Sequence, residues 1–313
     1  LKCLALFSGG LDSLLAIKLI ERQGVEVIPI MFKSYFFGLD EKSIKTIFDF
    51  KVELIDISKE HLGIVYNPCY GYGKNINPCI DCHSFMLRKT GELLKSYNAK
   101  FIITGEVLGQ RPMSQNQKAL RLVETVSGFK GLILRPLSAK NLEITIPERE
   151  GWVDRNKLLD IRGRNRKTQL KLLSEFNIKK YIKPGGGCLL TVPTFAKRVE
   201  IMKEDNVYDP NILNAIRFGR LLRLDRGLYI IVGRNESDNK RLKMIKSDLF
   251  LEPYDTPGPC ITVFGSIDKN VIDFCKFLFL FYSKAESAYV YINGILKNIF
   301  LSNTYDFRKF MIC

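Results

Sequence analysis

The sequence predicts an α/β protein with an open parallel sheet over residues 1–150, a basic helical segment over 151–210 and an α+β domain over 211–313. Three observations lead there. In the first half, short apolar runs alternate with helical patterns, the sequence form of a parallel sheet with helices on both faces. The middle of the chain turns strongly basic. From about residue 211 the texture becomes strand-like with glycine turns, which marks a separate unit. A chain of 313 residues is also long for one core, so two domains are the expected number.

Each element follows from its own residues. KCLALF (2–7) reads as a buried strand, and DSLLAIKLIERQ (12–23) as an amphipathic helix with Leu14, Leu15, Ile17, Leu19 and Ile20 on its apolar face. VEVIPIMF (25–32), VELIDI (52–57) and FIITG (101–105) are further strands, separated by helical patterns near 40–49 and 84–97. Ligands of such a sheet bind beyond the carboxyl ends of its strands. The SGG turn, the TGE turn and a loop carrying Cys79 are expected there. Residues 150–205 are helical in pattern and interrupted by KPGGGCLLTVP. LLRLDRGLYIIVGR, PCITVFG and AYVYING then supply strands around a helix near 269–284.

Composition narrows the class. A hydrophobic fraction of 46% with 26% charged residues is that of an ordinary globular protein. No apolar run approaches the roughly 18 residues of a membrane span, and the first residues lack a secretory pattern. Eight cysteines spread along the chain do not form a disulfide framework. A cytoplasmic, non-membrane protein is expected. The net charge of +15 is unevenly placed. Residues 151–200 hold twelve lysines and arginines against four acids, and 211–250 hold nine against four. Such a concentration fits a polyanion partner, although a solvated basic surface has the same signature.

LFSGGLDSLLA is strand, glycine turn and helix. Gly9 and Gly10 let a phosphate approach the backbone, Ser8 and Ser13 offer hydroxyls, and the helix start presents N–H groups to an anion. No lysine follows the glycines, so this is not the GxxxxGK[ST] loop. Asp12 in the first helical turn is favoured by the helix dipole whatever else it does. The S-G-G-x-D-S pattern resembles the pyrophosphate loop of the PP-loop ATPases, which share the adenine nucleotide α-hydrolase-like fold and cleave ATP between its α and β phosphates. The resemblance implies ATP and Mg²⁺ as ligands, with Asp12 helping to hold the metal and the departing pyrophosphate.

ITGEVLGQRPMSQ (103–115) and LRPLSAKNLEITIPEREG (134–151) resemble, in order and spacing, segments of tRNA 4-thiouridine synthetases. That family usually carries an N-terminal tRNA-binding extension and sometimes a C-terminal rhodanese-like sulfur carrier, neither of which is expected here. NPCIDCH also looks like the cysteine segment of tRNA 2-thiouridylases, which leaves the modified position open. The implied chemistry is coherent. A uridine carbonyl oxygen is a poor leaving group; transfer of AMP onto it makes a good one, which a sulfur nucleophile then displaces. Gly105 and Glu106, just beyond the FIIT strand, stand where they could contact the adenylate or the base, with a helix cap or surface acid as the plain reading of Glu106.

Cys79 and Cys82 stand beside His83, one of two histidines in the chain. A zinc site through Cys79, Cys82, Cys188 and His83 would lack the second C-x-x-C that structural zinc sites favour. Cys188, in PGGGCLLT, is either structural or a third functional thiol, and the glycines would let the backbone pass close to something bulky. A persulfide on one cysteine resolved by another needs only Cys82 and Cys188. Three thiolates on a 4Fe-4S cluster, leaving one iron vacant for a hydrosulfide, is the arrangement of the cluster-dependent tRNA thiolases that this pattern resembles. Cys69 is an alternative ligand, and Cys3, Cys260, Cys275 and Cys313 read as structural. The sulfur donor would be a cysteine desulfurase or free sulfide.

RGRNRKTQLKLL places Arg162, Arg164, Arg166 and Lys167 ahead of a helix, a phosphate-contact pattern if the partner is RNA. IIVGRNESDNKRLKMI, PYDTPGPCITV and VIDFCKFLFLFYSKAE resemble the NFACT RNA-binding domain (NFACT-R). That likeness, together with the local surplus of positive charge, points to tRNA contacts from Arg217, Arg220, Arg223 and Arg234, with Lys240 and Arg241 next; plain surface charge is the alternative reading of each. ATP-dependent tRNA uridine thiolation is the expected activity, with tRNA as partner and a homodimer compatible with it. An RNA-binding protein that senses ATP, or a PP-loop ligase acting on a small molecule, are the alternatives.

Overall fold

β1 (Lys2–Leu6) sits at the centre of the first sheet because its side chains alternate into two cores. Cys3 and Ala5 pack with Leu14, Ile17 and Ile20 on one face, while Leu4 packs with Ile30, Ile102, Leu87 and Val123 on the other. The computed structural model describes residues 1–182, 187–301 and 304–312 and divides into two units, Leu1–Leu189 and Leu190–Cys313. In the first, β1 is flanked by β2 (Glu26–Lys33), β3 (Glu53–Asp56), β4 (Phe101–Thr104) and β5 (Ile133–Leu134) in the order β3-β2-β1-β4-β5, all parallel. α1 (Leu11–Glu21) and α2 (Glu41–Ile47) cover one face. α3 (Ser58–Tyr66) follows β3, and α4 (Cys79–Glu92) and α5 (Gln117–Ser127) cover the other face. After the single-turn α6 (Ile146–Arg149), α7 (Lys167–Glu175) packs outside α1, with Leu172 against Leu11, Leu15 and Leu19.

The second unit begins with α8 (Pro193–Glu204) and α9 (Pro210–Ala215). It continues through β6 (Arg220–Asp225), β7 (Leu228–Val232), α10 (Glu236–Leu242), β8 (Leu249–Pro253), β9 (Ile261–Phe264), α11 (Lys269–Ser283), β10 (Ser287–Ile292), β11 (Ile295–Phe300) and β12 (Met311–Ile312). Its strands form one antiparallel sheet in the order β11-β10-β8-β9-β7-β6-β12. Val271, Phe274, Cys275 and Leu278 of α11 bury one face of it against Ile230, Val232, Leu251, Ile261 and Val263. Asp268 caps that helix through the Val271 amide at 2.8 Å. Cys3, Cys260 and Cys275 are buried, and burial raises each thiol, Cys275 to about 12. Cys313 lies outside the described residues.

Parallel sheet and α+β unit stand as expected. Two features differ. The basic segment 151–210 is not one piece: residues up to 189 belong to the first unit and α8 and α9 to the second. Packing decides this. Ile161, Leu172, Phe176 and Tyr181 lie on the outer side of α1. By contrast, the Arg198 guanidinium of α8 donates to the carbonyls of Ile216 and Gly219 at 2.6 and 2.9 Å, tying α8 to the start of β6. The second difference is that Cys79 and Cys82 lie in the first turn of α4 instead of in a loop. Pro78 precedes that turn and its carbonyl accepts from the Cys82 amide at 2.9 Å, a start that proline tolerates well. No helix among the described residues is long and apolar enough to cross a membrane.

Candidate functional site

The turn between β1 and α1 is held open by left-handed backbone at Gly9 (φ +76°), which a side chain would strain. Gly10 caps α1 in extended conformation, and its amide donates to Ser8 Oγ at 3.3 Å. Ser13 Oγ donates to the Gly10 carbonyl at 2.8 Å and stands 3.3 Å from Ser8 Oγ. The serines therefore brace the turn, and the first amides of the 11-residue α1 point out of its end without intrahelical partners. The sheet comes close behind. A Cβ at Gly105 would lie 2.4 Å from the Ser13 nitrogen and 2.5 Å from the Asp12 carbonyl carbon, so only glycine lets the end of β4 meet the start of α1. Ile182 closes the other side, its amide donating to the Gly9 carbonyl at 2.8 Å.

Asp12 projects from the first turn of α1. Its Oδ2 accepts from Gln110 Nε2 and from Arg166 Nη2, each at 3.2 Å, and its Oδ1 is buried with no hydrogen-bond partner. Arg166, expected on an RNA-facing run, is instead turned onto Asp12. Arg162, Arg164 and Lys167 are exposed, as that run requires. The reason is local: Leu108 bridges Arg162, and the Gly163 amide donates to the Leu108 carbonyl at 2.7 Å, which brings the loop back beside the glycine turn.

Glu106, read as a contact to the adenylate or base or else as a helix cap or surface acid, is not at the surface. It is buried, and its carboxylate oxygens are occupied by His83 Nδ1 at 3.1 Å, Thr104 Oγ1 at 3.1 Å and Arg135 Nε at 2.9 Å. Arg135 also donates to Glu124 at 3.1 Å. Burial would push the Glu106 carboxyl up, but Arg135 and His83 overcome it and hold the group down to about 2. The stability this adds is present above the ordinary carboxylate value near 4.5 and is lost as pH falls through about 2. Replacing Arg135 with methionine leaves two carboxylates facing one another without their cation. We expect a loss of about 3–5 kcal/mol at neutral pH, with the deficit shrinking on acidification as Glu106 takes up a proton. Urea melts at pH 7 and pH 4 measure both.

Cys79 and Cys82 adjoin that network, because His83 shares the first two turns of α4 with them. Cys82 Sγ lies 3.1 Å from His61 Nε2, and Cys79 Sγ accepts from Asn77 Nδ2 at 3.2 Å. Burial raises the Cys82 thiol well above its ordinary value, and the neighbouring Cys188, Cys79 and Asp81 raise it further. Cys79 and Cys188 thus both sit close enough to Cys82 to oppose its ionisation. His61 is fully buried, its pKa lowered to about 4 by desolvation, and its Nδ1 has no hydrogen-bond partner. A neutral ring in that setting is best served by a proton on Nε2, donated to the Cys82 sulfur; the other tautomer would bury an N–H with nothing to accept it. Cys188 is brought in by its neighbour: the Leu189 amide donates to the Phe36 carbonyl at 2.9 Å, and the Phe36 and Phe37 rings flank His61 at 5.8 and 5.0 Å. A Cβ at Gly187 would meet no protein atom within 4 Å. Pro184, Gly185 and Gly186 lie outside the described residues.

Cys69 is exposed, and its amide and that of Tyr70 are held by Asp81. Ile182 on the glycine turn and Cys188 beside Cys82 are six residues apart, which limits their separation to about 20 Å.

Among the described residues no three histidine, cysteine or acidic side chains converge on a single metal position, and His83 Nδ1 faces Glu106. Zinc through Cys79, Cys82, Cys188 and His83 has no support in this geometry. A cubane distributes its cysteines over separate irons and needs no such convergence. The donor set fits it: soft sulfurs from Cys79, Cys82 and Cys188, with nitrogen donors from Asn77 and His61 directed at two of them.

In the second unit the arginines divide. Arg223 pairs with Asp205, and Arg234 with Asp238 at 2.9 Å, so both are engaged internally. Lys240 pairs with Glu236. Arg217 and Arg241 both lie over the Phe218 ring, at 6.0 and 5.4 Å, and burial followed by the Arg241 charge lowers the Arg217 pKa. Arg220 lies over Tyr282 at 4.6 Å. Sequence reasoning missed His61, Asn77, Gln110 and Arg135. Only the isolation of His61 as the second histidine hinted at any of them.

Residues 1–146 match the family model described as thiamine biosynthesis protein (ThiI), and residues 219–293 match that of the NFACT protein RNA binding domain. Over 147 residues the chain is 29% identical to a probable tRNA sulfurtransferase of Thermococcus kodakarensis, covering 44% of this chain and 36% of that protein. Over 133 residues it is 23% identical to an uncharacterized protein of Methanocaldococcus jannaschii, covering 41% and 47% respectively. The chain therefore spans between about a third and a half of the length of these curated relatives. A crystal structure of a 4-thiouridine synthetase–RNA complex with bound ATP aligns with a TM-score of 0.38 at 14% identity, covering 84% of this chain and 55% of that one.

Proposed function

We propose that this chain, whose first 146 residues match the ThiI family model, is an ATP-dependent tRNA uridine thiolase making 4-thiouridine. The observation that carries the reading is the pair of anchors at Ile182 and Leu189: the Ile182 amide donates to the Gly9 carbonyl, and the Leu189 amide, next to Cys188, donates to the carbonyl of Phe36, whose ring lies beside the His61 that meets Cys82. A phosphate-binding turn and a cluster of thiols thereby share one unit.

In this reading Ser8, Gly9, Gly10 and Ser13 cradle the triphosphate, with Gly105 allowing the sheet to reach it. The uridine O4 attacks the α phosphorus, the bond to the β-phosphate oxygen breaks, and pyrophosphate leaves. Asp12, with one carboxylate oxygen lacking a partner, would hold Mg²⁺, which offsets the charge of the leaving group. Sulfide then attacks C4 of the adenylated base, and AMP departs with its oxygen. Cys79, Cys82 and Cys188 would hold a 4Fe-4S cluster, whose role when bound is to supply that sulfide. His61 and Asn77 orient the two α4 sulfurs, and the Glu106–Arg135–His83 network fixes α4 against β4. The tRNA backbone is held by Arg162, Arg164 and Lys167 on the first unit, and by Arg217, Arg220 and Arg241 on the NFACT-matching unit.

The test is anaerobic incubation of the protein with an unmodified tRNA transcript, ATP, Mg²⁺ and sulfide, followed by digestion to nucleosides. We expect 4-thiouridine, with AMP and pyrophosphate released in equal amounts. 2-Thiouridine would move the modified position, and ADP with phosphate would overturn the reaction class.

A further inference from the structure

We propose that Arg166, which pairs with Asp12, is also a phosphate ligand of the bound nucleotide; this rests on the nucleotide reading of the glycine turn. The turn itself carries no cation. No lysine or arginine occurs within residues 7–17, and Lys18 in the last turns of α1 is paired with Glu21 at 2.8 Å. A tri- or pyrophosphate seated on backbone amides and two serine hydroxyls would keep most of its charge uncompensated. Arg166, 154 residues after Asp12, brings a guanidinium to that place.

The pair it makes there is incomplete. A guanidinium can grip a carboxylate through two parallel bonds of roughly 2.7–2.9 Å. Arg166 makes a single one to Asp12 Oδ2 at 3.2 Å, sharing the oxygen with Gln110. Arg166 Nε and Asp12 Oδ1 are both buried without hydrogen-bond partners. Unmade bonds of this kind are costly, and a metal-bound phosphate supplies both missing partners: anionic oxygens for the guanidinium and a cation for the carboxylate. The backbone behind the side chain is fixed. The Leu170 amide donates to the Arg166 carbonyl at 2.9 Å, and the Gly163 amide anchors the loop to Leu108. A change of side-chain rotamer is therefore enough for Arg166 to pass from Asp12 to a phosphate. Its exposed neighbours Arg162, Arg164 and Lys167 remain free to meet RNA.

Calorimetry with full-length protein separates the outcomes. ATP, inorganic pyrophosphate and AMP are titrated into the native chain, Arg166→Ala, Arg166→Lys, Asp12→Asn and the Asp12→Asn/Arg166→Ala double variant. A charge-assisted bond to phosphate predicts that Arg166→Ala weakens ATP and pyrophosphate about 10- to 100-fold and AMP far less. Lysine should restore part of the loss as a point charge. Because Arg166 acts on the phosphate and not through Asp12, removing it should still weaken pyrophosphate in the Asp12→Asn background. Filter binding should show tRNA affinity and its salt dependence unchanged by Arg166→Ala. If native protein binds ATP and Arg166→Ala binds ATP and pyrophosphate equally well, the proposal fails. It also fails if the effect vanishes in Asp12→Asn, or if tRNA binding weakens and its salt slope flattens instead. Native protein that binds neither ATP nor pyrophosphate would overturn the nucleotide reading, and this inference with it.

Discussion

Asp12→Ala should reduce tRNA-dependent release of AMP and pyrophosphate by at least about a thousandfold, the scale on which loss of one preorganised charge at a reacting centre is felt. The carboxylate sits in the first turn of α1, beside the turn that would carry the phosphates, with Oδ1 unpartnered. Removing it takes away the oxygen available to a cation and frees the Arg166 guanidinium. Binding of tRNA should stay within about twofold, because the exposed cations Arg162, Arg164 and Lys167 are untouched and phosphate contacts dominate such affinity. Asp12→Asn keeps the hydrogen bonds but not the charge and should fall nearly as far. Single-turnover assays with labelled ATP measure the chemistry, and filter binding measures the tRNA. Turnover within tenfold of the native protein would remove Asp12 from the proposed reaction.

The second large effect concerns the thiols. Anaerobically purified protein should be brown and carry about four irons per chain if Cys79, Cys82 and Cys188 hold a cubane. Each of Cys79→Ser, Cys82→Ser and Cys188→Ser should lose iron and thiolation together. Cys275→Ala should lose neither, since that thiol is buried in the core under α11. The competing persulfide route makes an opposite forecast: iron-free protein would thiolate tRNA at full rate with a persulfide donor, and Cys79→Ser would remain active. Iron and sulfide analysis beside thiouridine yield decides between them.

Local sequence carried a good part of this molecule. Between Lys2 and Thr104 the strands β1 to β4 were legible as short, largely apolar runs and α1 as the apolar helix after the glycine turn, although α1 buries two sides, one on the sheet and one under α7, where the sequence suggested a single apolar face. The glycine turn was legible for the same reason, since Gly9, Gly10 and the following helix lie within a few residues of one another. Cys79 and Cys82 were found by spacing, but their setting was not. A spacing of three reads the same in a loop as in a first helical turn, and only Pro78 and the packing of α4 on β4 select the helix.

The partners of these groups are long-range, and there the sequence is silent. Four cations in RGRNRK look alike as text, yet one faces inward because Leu108 grips the loop at Arg162 and Gly163. Glu106 reads as a ligand contact or a surface acid, and nothing beside it in the chain announces that Arg135, 29 residues on, pairs with it. His61 gains a role only because Phe36 and Phe37 bury it against α4, 21 residues before the sulfur it meets. The amino-acid sequence by itself determined the alternation of strands and helices, the glycine turn, the cysteine spacing and the basic balance. These depend on residue type and near neighbours. Tertiary structure alone decided which cation meets Asp12, which sulfur meets His61 and where the chain divides, because ion pairing and desolvation depend on distance in space, and residues more than a hundred positions apart come to lie within hydrogen-bonding reach.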